Sequence, residues 1–499
     1  MDLRGIKTVG IIGAGVSGLV TAKTLMAEGL DCTLFERNAA LGGVWADGYV
    51  NFGVQVQKEL YEFPDWPLPE STPDFTPGPL FRQYLQDYAD HFGLTPHIRL
   101  DSEVTAIRSR EDGKPGWSLA VRDREGERQD DFDLIVVCVG LYSNEPYRPE
   151  FPGQEGFGGE ILHISQLKSS APLEGKRVAV LGFGKSATDA ALESAAVAEQ
   201  THLVVREPHW PVPRKLAGVL PFKWGLVNRM TSTLLPLYLH PSSLERAVHG
   251  LGGPLVWLWW RLVECLLRAQ HGLGRKIEGG DNLVPAKPVD IDAFGESTMV
   301  PRPALYRAIG QGRIRAHRSR IEKFNPEGPR LENGRQLEID LLVLGTGWRT
   351  GFAFLPADLR EALGFEDDGL YLYRHMLQPN APNLVFIGRA ATICSVLTYS
   401  LQARWLAELI AGRHWLPDGE AMLREIEDMK AWKRAWMPFS ASRGARLIVH
   451  MQHYHDELLR DFGANPLRKR GPFAPLKEVI EAYEPADYRD IVSGDWVRG

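Results

Sequence analysis

Two glycine-rich turns carry the residues whose types and spacing could do chemistry. The first reads Gly13-Ala-Gly15-Val-Ser17-Gly18, between an apolar run at residues 6–12 and a helical pattern that starts at Leu19. That is a strand, a tight turn and a helix. Gly13 permits the turn, Gly15 lets backbone N–H groups approach a pyrophosphate at the helix N-terminus, and Gly18 lets the helix pack close to the sheet. A second strand, residues 32–35, ends in Glu36, an acid placed to accept hydrogen bonds from an adenosine ribose. The second turn, Gly182-Phe-Gly184-Lys185-Ser186-Ala187, lies between the strand pattern 177–181 and a helical pattern at 188–198, and the next strand, 201–205, ends in Arg206. An acid suits a free 2′-hydroxyl and an arginine suits a 2′-phosphate. The first loop is therefore expected to hold FAD or NAD and the second NADPH, with Trp210 and Arg214 as candidates to stack on the adenine or add phosphate contacts.

These loops need parallel sheets behind them. Residues 131–140 and 338–347 repeat one another, each an apolar strand that starts with acids and ends in glycine. They are expected to mark where the chain leaves and rejoins the first nucleotide domain. The fold class that follows is α/β, with two Rossmann-like dinucleotide-binding domains, the NADPH domain inserted in the FAD domain, and a helical C-terminal extension. The expected FAD-binding domain is 1–166 plus 334–440, the NADPH-binding domain 167–333 with an apolar insertion at 216–274, and the extension 441–499. A chain of 499 residues has room for such an arrangement. Lys plus Arg total 57 against 63 Asp plus Glu, a net charge of -6, so nothing drives general binding to nucleic acid or anionic membrane. Cys32, Cys138, Cys265 and Cys394 are far apart, which offers neither a disulfide framework nor a CxxC pair and fits a reducing cytoplasm. The N-terminus enters a strand without a signal-peptide pattern. His450, His453 and His455 form the densest histidine group, and a solvated or partly buried helix explains them better than a metal does.

An enzyme with sites for FAD and NADPH passes hydride to the flavin, and classes differ in where the electrons go next. Disulfide reductases need a cysteine pair, which is missing. Ferredoxin-type reductases need a docking surface that one sequence does not display. Oxygen is the remaining common acceptor. At this point the chain resembles the class B flavoprotein monooxygenases, in particular the flavin-containing monooxygenase (FMO) family. The first loop with Glu36 looks like the family's FAD fingerprint, and Gly42-Gly43-Val44-Trp45 like the segment along the flavin. Lys58 to Pro67 is similar to the stretch before the first long helix. Gly182 to Asp189 resembles the NADPH loop, Gly345-Thr-Gly347 the late linker motif, and Tyr399 to Trp405 the C-terminal helix. The family's diagnostic string matches from Phe157 to His163, but its last aromatic position holds Leu167, which fits neither the FMO branch nor the Baeyer-Villiger branch. Family likeness gives His163 a role in coupling the two domains.

The resemblance implies further site residues. Counting back from Lys58, the active-site Asn of the family falls on Gln55, whose amide has the same donor and acceptor on a longer chain. The implied cofactor-binding set is Gly13, Gly15, Ser17, Gly18, Glu36, Arg37, Gly43, Val44, Trp45, Val56, Val104, Gly182, Gly184, Lys185, Ser186, Ala187, Asp189, Arg206 and Gly347. The implied activity is NADPH- and FAD-dependent insertion of one atom of dioxygen into a small molecule at nitrogen or sulfur, by way of a C4a-(hydro)peroxyflavin. Baeyer-Villiger oxygenation of a ketone is the nearest rival, and a flavin reductase that oxygenates nothing is the rival from another class. The Trp-rich stretch within 216–274 leaves three readings: core or homodimer contact first, substrate lining second, and contact with a membrane surface third.

Overall fold

The computed structural model describes residues 3–142, 145–275, 280–349 and 351–496. The first apolar run becomes the strand Thr8–Ile12, whose Val9 and Ile11 are fully buried. It sits at the centre of a five-stranded sheet in the order Leu384–Phe386, Leu134–Val137, Thr8–Ile12, Asp31–Phe35, Ile98–Arg99, every neighbouring pair parallel. Near-continuous apolar strands of this kind need cover on both faces. One face is covered by the helix Val16–Ala27, which is itself sandwiched against the helix Ser395–Ile410. The other packs on Phe132, Val121 and Ile107 of an antiparallel three-stranded sheet formed by Glu103–Ser109, Trp117–Asp123 and Gly126–Phe132.

A second parallel sheet runs Arg315–Arg318, Gln200–Val205, Arg177–Leu181, Leu341–Leu344, Glu160–His163. Here the expected boundaries need correction. The strand Leu341–Leu344 was expected to rejoin the first nucleotide unit, yet it pairs with Arg177–Leu181 in the second sheet. It occupies the place that Leu134–Val137 holds beside Thr8–Ile12, which is why the two segments read alike. The second sheet thus starts before 167, with Glu160–His163, and ends beyond 333, with Leu344.

The chain crosses between the sheets twice, and the crossings lie side by side. Glu145–Pro146 pairs antiparallel with Trp348–Arg349, and Tyr147 N–H donates to the Gly347 carbonyl at 2.9 Å. His163 Nε2 reaches the same carbonyl at 3.0 Å, while its Nδ1 accepts from Ser165 N–H at 3.2 Å. Both nitrogens are committed as in a neutral imidazole, and burial lowers the pKa of the ring. Leu167 is fully buried in the second core, and its carbonyl accepts from Val50 N–H at 2.7 Å.

The C-terminal segment is built into the first unit. Its strand Arg446–Ile448 pairs with Ala391–Thr392, and its helix Met451–Asp461 packs on Ser395–Ile410 within the largest core. His450 and His455 are buried and point to separate partners, the Pro236 carbonyl and Thr398, while His453 meets Glu245.

In the second sheet His202 Nδ1 and His317 Nε2 are 2.8 Å apart between the neighbouring strands Gln200–Val205 and Arg315–Arg318, and Arg335 reaches His317 Nδ1 at 3.1 Å. Burial, with nearby positive charge, pushes both imidazoles down to about 4. The unfolded value is about 6.5, so this contribution to stability is complete above about pH 6.5 and is lost as the pH falls toward 4. Thermal denaturation should therefore show a lower midpoint at pH 5 than at pH 7.5, and the drop should shrink in a His202→Asn/His317→Gln variant.

Candidate functional site

The first loop is shaped by close backbone approach. Gly13 has φ +105, and a Cβ on it would stand 2.7 Å from the Cys138 carbonyl oxygen. On Gly18 a Cβ would meet the Gly13 carbonyl oxygen at 1.9 Å. Gly42 N–H donates to the Ala14 carbonyl at 2.9 Å, which brings Gly43 against Gly15, where a Cβ on Gly43 would lie 3.3 Å from the Gly15 Cα. Ser17 Oγ turns to the Cys138 carbonyl at 3.4 Å. Glu36 accepts from Ala14 N–H at 3.0 Å on one oxygen and from Asn38 N–H and Nδ2 on the other. Three bonds leave a carboxylate with acceptor capacity for a ribose hydroxyl.

The second loop repeats the arrangement. Gly182 has φ +124, and a Cβ there would stand 2.5 Å from the Gly345 carbonyl oxygen. Ala187 is the third residue of the pattern, and Gly345 makes room for it, since a Cβ on Gly345 would meet the Ala187 Cβ at 2.5 Å. Among the described residues, and apart from its own chain neighbours, no atom lies within 4 Å of the place where Gly184 would carry a side chain. This open side faces a cavity of about 940 Å³ between the two units.

That cavity brings together Val44, Trp45, Gln55, Val56, Gly182, Gly184, Lys185, Ser186, Arg206 and Gly347. Gly13, Gly15, Ser17, Gly18, Glu36, Arg37, Gly43, Val104, Ala187 and Asp189 lie off its wall. Of these, Val104 is buried in the core beside Phe35, and Arg37 is exposed next to Glu36. Asp189 is buried, accepts from Tyr49 Oη at 2.8 Å, pairs with Lys185, and meets Arg302 Nε at 3.0 Å. Burial lowers the Lys185 pKa, and burial beside Asp189 raises that of Tyr49. Trp210 is excluded from adenine stacking: it is fully buried, and its indole N–H donates to the Lys287 carbonyl at 2.7 Å. Arg214 lies 3.7 Å over the Phe75 ring, off the cavity wall. Nor does the insertion at 216–274 line substrate space, because none of its residues reaches the cavity. Its helix Gly253–His271 buries Val256, Trp260 and Leu267 and leaves Leu255, Trp257 and Leu262 exposed.

Several wall residues were not anticipated. Ser319 and Arg320 follow the strand Arg315–Arg318, next to Gln200–Val205, so Arg320 emerges beside Arg206. The signal is the recurrence of basic residues through that strand, Arg313, Arg315, His317, Arg318 and Arg320. Tyr142 and Arg446 come from separate segments and had no signature, and Tyr399 opens the segment that resembles the family's C-terminal helix but carried no expected site role. His209, Asp292 and Glu296 converge with ligand atoms within 4.8 Å of one another. His209 Nδ1 is 2.7 Å from Asp292, and Glu296 holds Lys287 Nζ at 2.6 Å; the ammonium marks a charge network rather than a cation site.

The family model described as "Flavin-binding monooxygenase-like" matches residues 6–248 and 301–496. The chain belongs to that family. It is thereby a flavin-dependent monooxygenase, an oxidoreductase. The "Probable flavin-containing monooxygenase 1" of Arabidopsis thaliana is 31% identical, with 96% of each chain covered. Among solved structures, the S-allyl-L-cysteine S-oxygenase of Allium sativum aligns with a TM-score of 0.63 at 20% identity, covering 98% of this chain and 92% of that one. The polycyclic ketone monooxygenase of Thermothelomyces thermophila reaches 0.69 at 17% identity, covering 92% and 88%. Both share the two-unit α/β fold. The family match skips 249–300, the stretch that contains the Trp-rich helix.

The residues present fit a bound flavin. Glycines line the first cradle, Glu36 retains acceptor capacity, and Arg389, just past the strand Leu384–Phe386, has a buried Nη1 with no hydrogen-bond partner. Burial pushes the Arg389 pKa down to about 10. The Cβ positions make a direct prediction. Gly18→Ala should lose bound flavin or fail to fold, whereas Gly184→Ala should keep a full complement, both read from flavin absorbance per purified chain.

Proposed function

We propose that this chain is an NADPH- and FAD-dependent monooxygenase that inserts one atom of dioxygen into a small molecule at nitrogen or sulfur. The observation that carries this reading is the shared cavity, on whose wall Gly184 and Ser186 of the second loop and Arg206 of the same unit meet Val44, Trp45 and Gln55 of the first unit. Bound FAD, once reduced by NADPH, supplies the activation of dioxygen. The protein's part is binding, orientation and exclusion of water.

Arg206 and Arg320 neutralise the 2′-phosphate of NADPH. The open backbone at Gly184 and the N-terminus of the helix Lys185–Val197 receive its pyrophosphate. Trp45 packs against Phe52, Tyr61 and Phe81, with ring centroids 5.9, 5.6 and 4.5 Å away, and so fixes the segment that leads to Gln55. The Gln55 amide offers a donor and an acceptor to the cavity. In this reading it orients the nicotinamide and donates a hydrogen bond to the oxygen being transferred. The enzyme belongs in a reducing cytoplasm, where its four cysteines remain thiols. The exposed stripe of the Trp-rich helix leaves homodimer or membrane contact as its uses.

Baeyer-Villiger oxygenation is the second reading, supported by the likeness in fold to a ketone monooxygenase; Leu167 fits neither branch and does not separate the two. Matched panels of sulfides, amines and ketones separate the two. Oxygenated sulfide or amine is expected, and ester or lactone as the sole product would reverse the assignment. Substrate-independent NADPH consumption with no oxygenated product would favour a reductase.

Two variants test the residue roles. Arg206→Ala should raise the KM for NADPH by about tenfold or more, the equivalent of one charge-assisted contact, and leave NADH unaffected; equal effects on both would remove the phosphate assignment. Gln55→Ala should retain flavin and release more hydrogen peroxide per NADPH consumed, and unchanged coupling would show that Gln55 does not serve the transferred oxygen.

A further inference from the structure

The cavity wall includes one cation that neither dinucleotide explains. Arg446 opens the strand Arg446–Ile448, which is tied to Ala391–Thr392 beyond the first sheet. It lines the cavity together with Tyr142, Thr392, Ser395, Tyr399 and Ser442. Its Nε is buried without a hydrogen-bond partner, and among the described residues no carboxylate lies within ion-pair distance of its guanidinium. The carboxylate that acts on it electrostatically is Glu296, which is held by Lys287 Nζ at 2.6 Å. Lys433 is buried with its Nζ on the Gly444 carbonyl at 2.8 Å, and burial, with Arg446 adding to the effect, pushes its pKa down.

An enclosed guanidinium with no counter-charge is costly to keep. It is retained at low cost only if an anion enters. The anions of the two dinucleotides have other places to go. The 2′-phosphate has Arg206 and Arg320 at the edge of the second sheet, and the pyrophosphate of the first nucleotide belongs to the Gly13–Gly18 turn, which does not reach this cavity. Arg446 has hydroxyl groups beside it and shares its cavity with Gln55, an arrangement suited to holding one end of a small molecule while the other end is oxidised.

We infer that Arg446 is a substrate-binding residue and that the preferred substrates are small molecules with a carboxylate at one end and an oxidisable heteroatom at the other. This deepens the monooxygenase reading and rests on it. The carboxylate pairs with the guanidinium, hydroxyls of Tyr142, Tyr399 or Ser442 take its remaining lone pairs, and the apolar linker spans toward Gln55. The contribution is to binding and position, so it belongs in KM and not in the chemical step.

A matched pair of thioethers tests this on the flavin-loaded enzyme: 3-(methylthio)propanoate and its neutral amide, 3-(methylthio)propanamide. Binding is measured by calorimetry, and oxygenation by substrate-stimulated NADPH consumption. The wild type should prefer the acid. Arg446→Gln should weaken the acid by at least about tenfold and leave the amide unchanged, with kcat little altered, and Arg446→Lys should recover part of the loss. Equal weakening of acid and amide, or no preference for the acid in the wild type, would overturn the proposal. So would a loss of bound flavin or a raised KM for NADPH in Arg446→Gln, which would assign the arginine to a cofactor. Binding of the acid that depends on Arg446 but gives no stimulated NADPH consumption would leave the anion site standing and count against the oxygenase reading.

Discussion

The buried carboxylate of Asp189 joins the two halves of the molecule. It lies on the helix that follows the second glycine loop, yet one of its donors is Tyr49, from the segment of the first unit that leads to Gln55. Lys185 and Arg302 supply the positive charge that makes burial of the carboxylate tolerable, and Arg302 also donates to the Asn51 carbonyl. Burying such a charge unpaired would cost several kcal/mol, so the segment 49–51 and the loop 182–187 are held to each other by the need to keep Asp189 satisfied. On the far side of the cavity the Gly347 carbonyl receives Tyr147 and His163 and clasps the two crossings together.

Once those contacts are in place, the rest of the site follows from the topology. Each sheet is parallel, so each presents its glycine loop, and the residue after its next strand, at the same edge. The glycine loop of the second sheet opens on the cavity, whose wall also carries Trp45 and Gln55, while the Gly13–Gly18 turn lies off it. The C-terminal segment closes the space by adding a strand beside Ala391–Thr392 and placing Arg446 on the wall. The catalytic role of the chain is thus mainly geometric.

The glycine loops were legible because their requirements are local: a positive φ at Gly13 and Gly182, and a missing Cβ at Gly18. The places of Glu36 and Arg206 were legible too, each directly after an apolar strand. The strand 341–344 was read into the wrong sheet because its sequence resembles 134–137 so closely that only pairing could assign it. Trp210 looked available next to Arg206, but tertiary burial and the Lys287 carbonyl take it up. Arg446 and Tyr142 line the cavity from segments far apart in the chain, and no spacing rule connects them. Asp189 was noticed as part of a motif, although its partners Tyr49 and Arg302 are visible only in three dimensions.

The claim that Asp189 aligns the nucleotide loop with the flavin side is tested most directly by the rate of anaerobic flavin reduction at saturating NADPH in Tyr49→Phe. This variant removes one hydroxyl and keeps the ring that packs near Phe52. The account predicts normal flavin content and reduction slowed by about tenfold or more, the scale of a small misplacement of reacting groups. Reduction at the wild-type rate would contradict it.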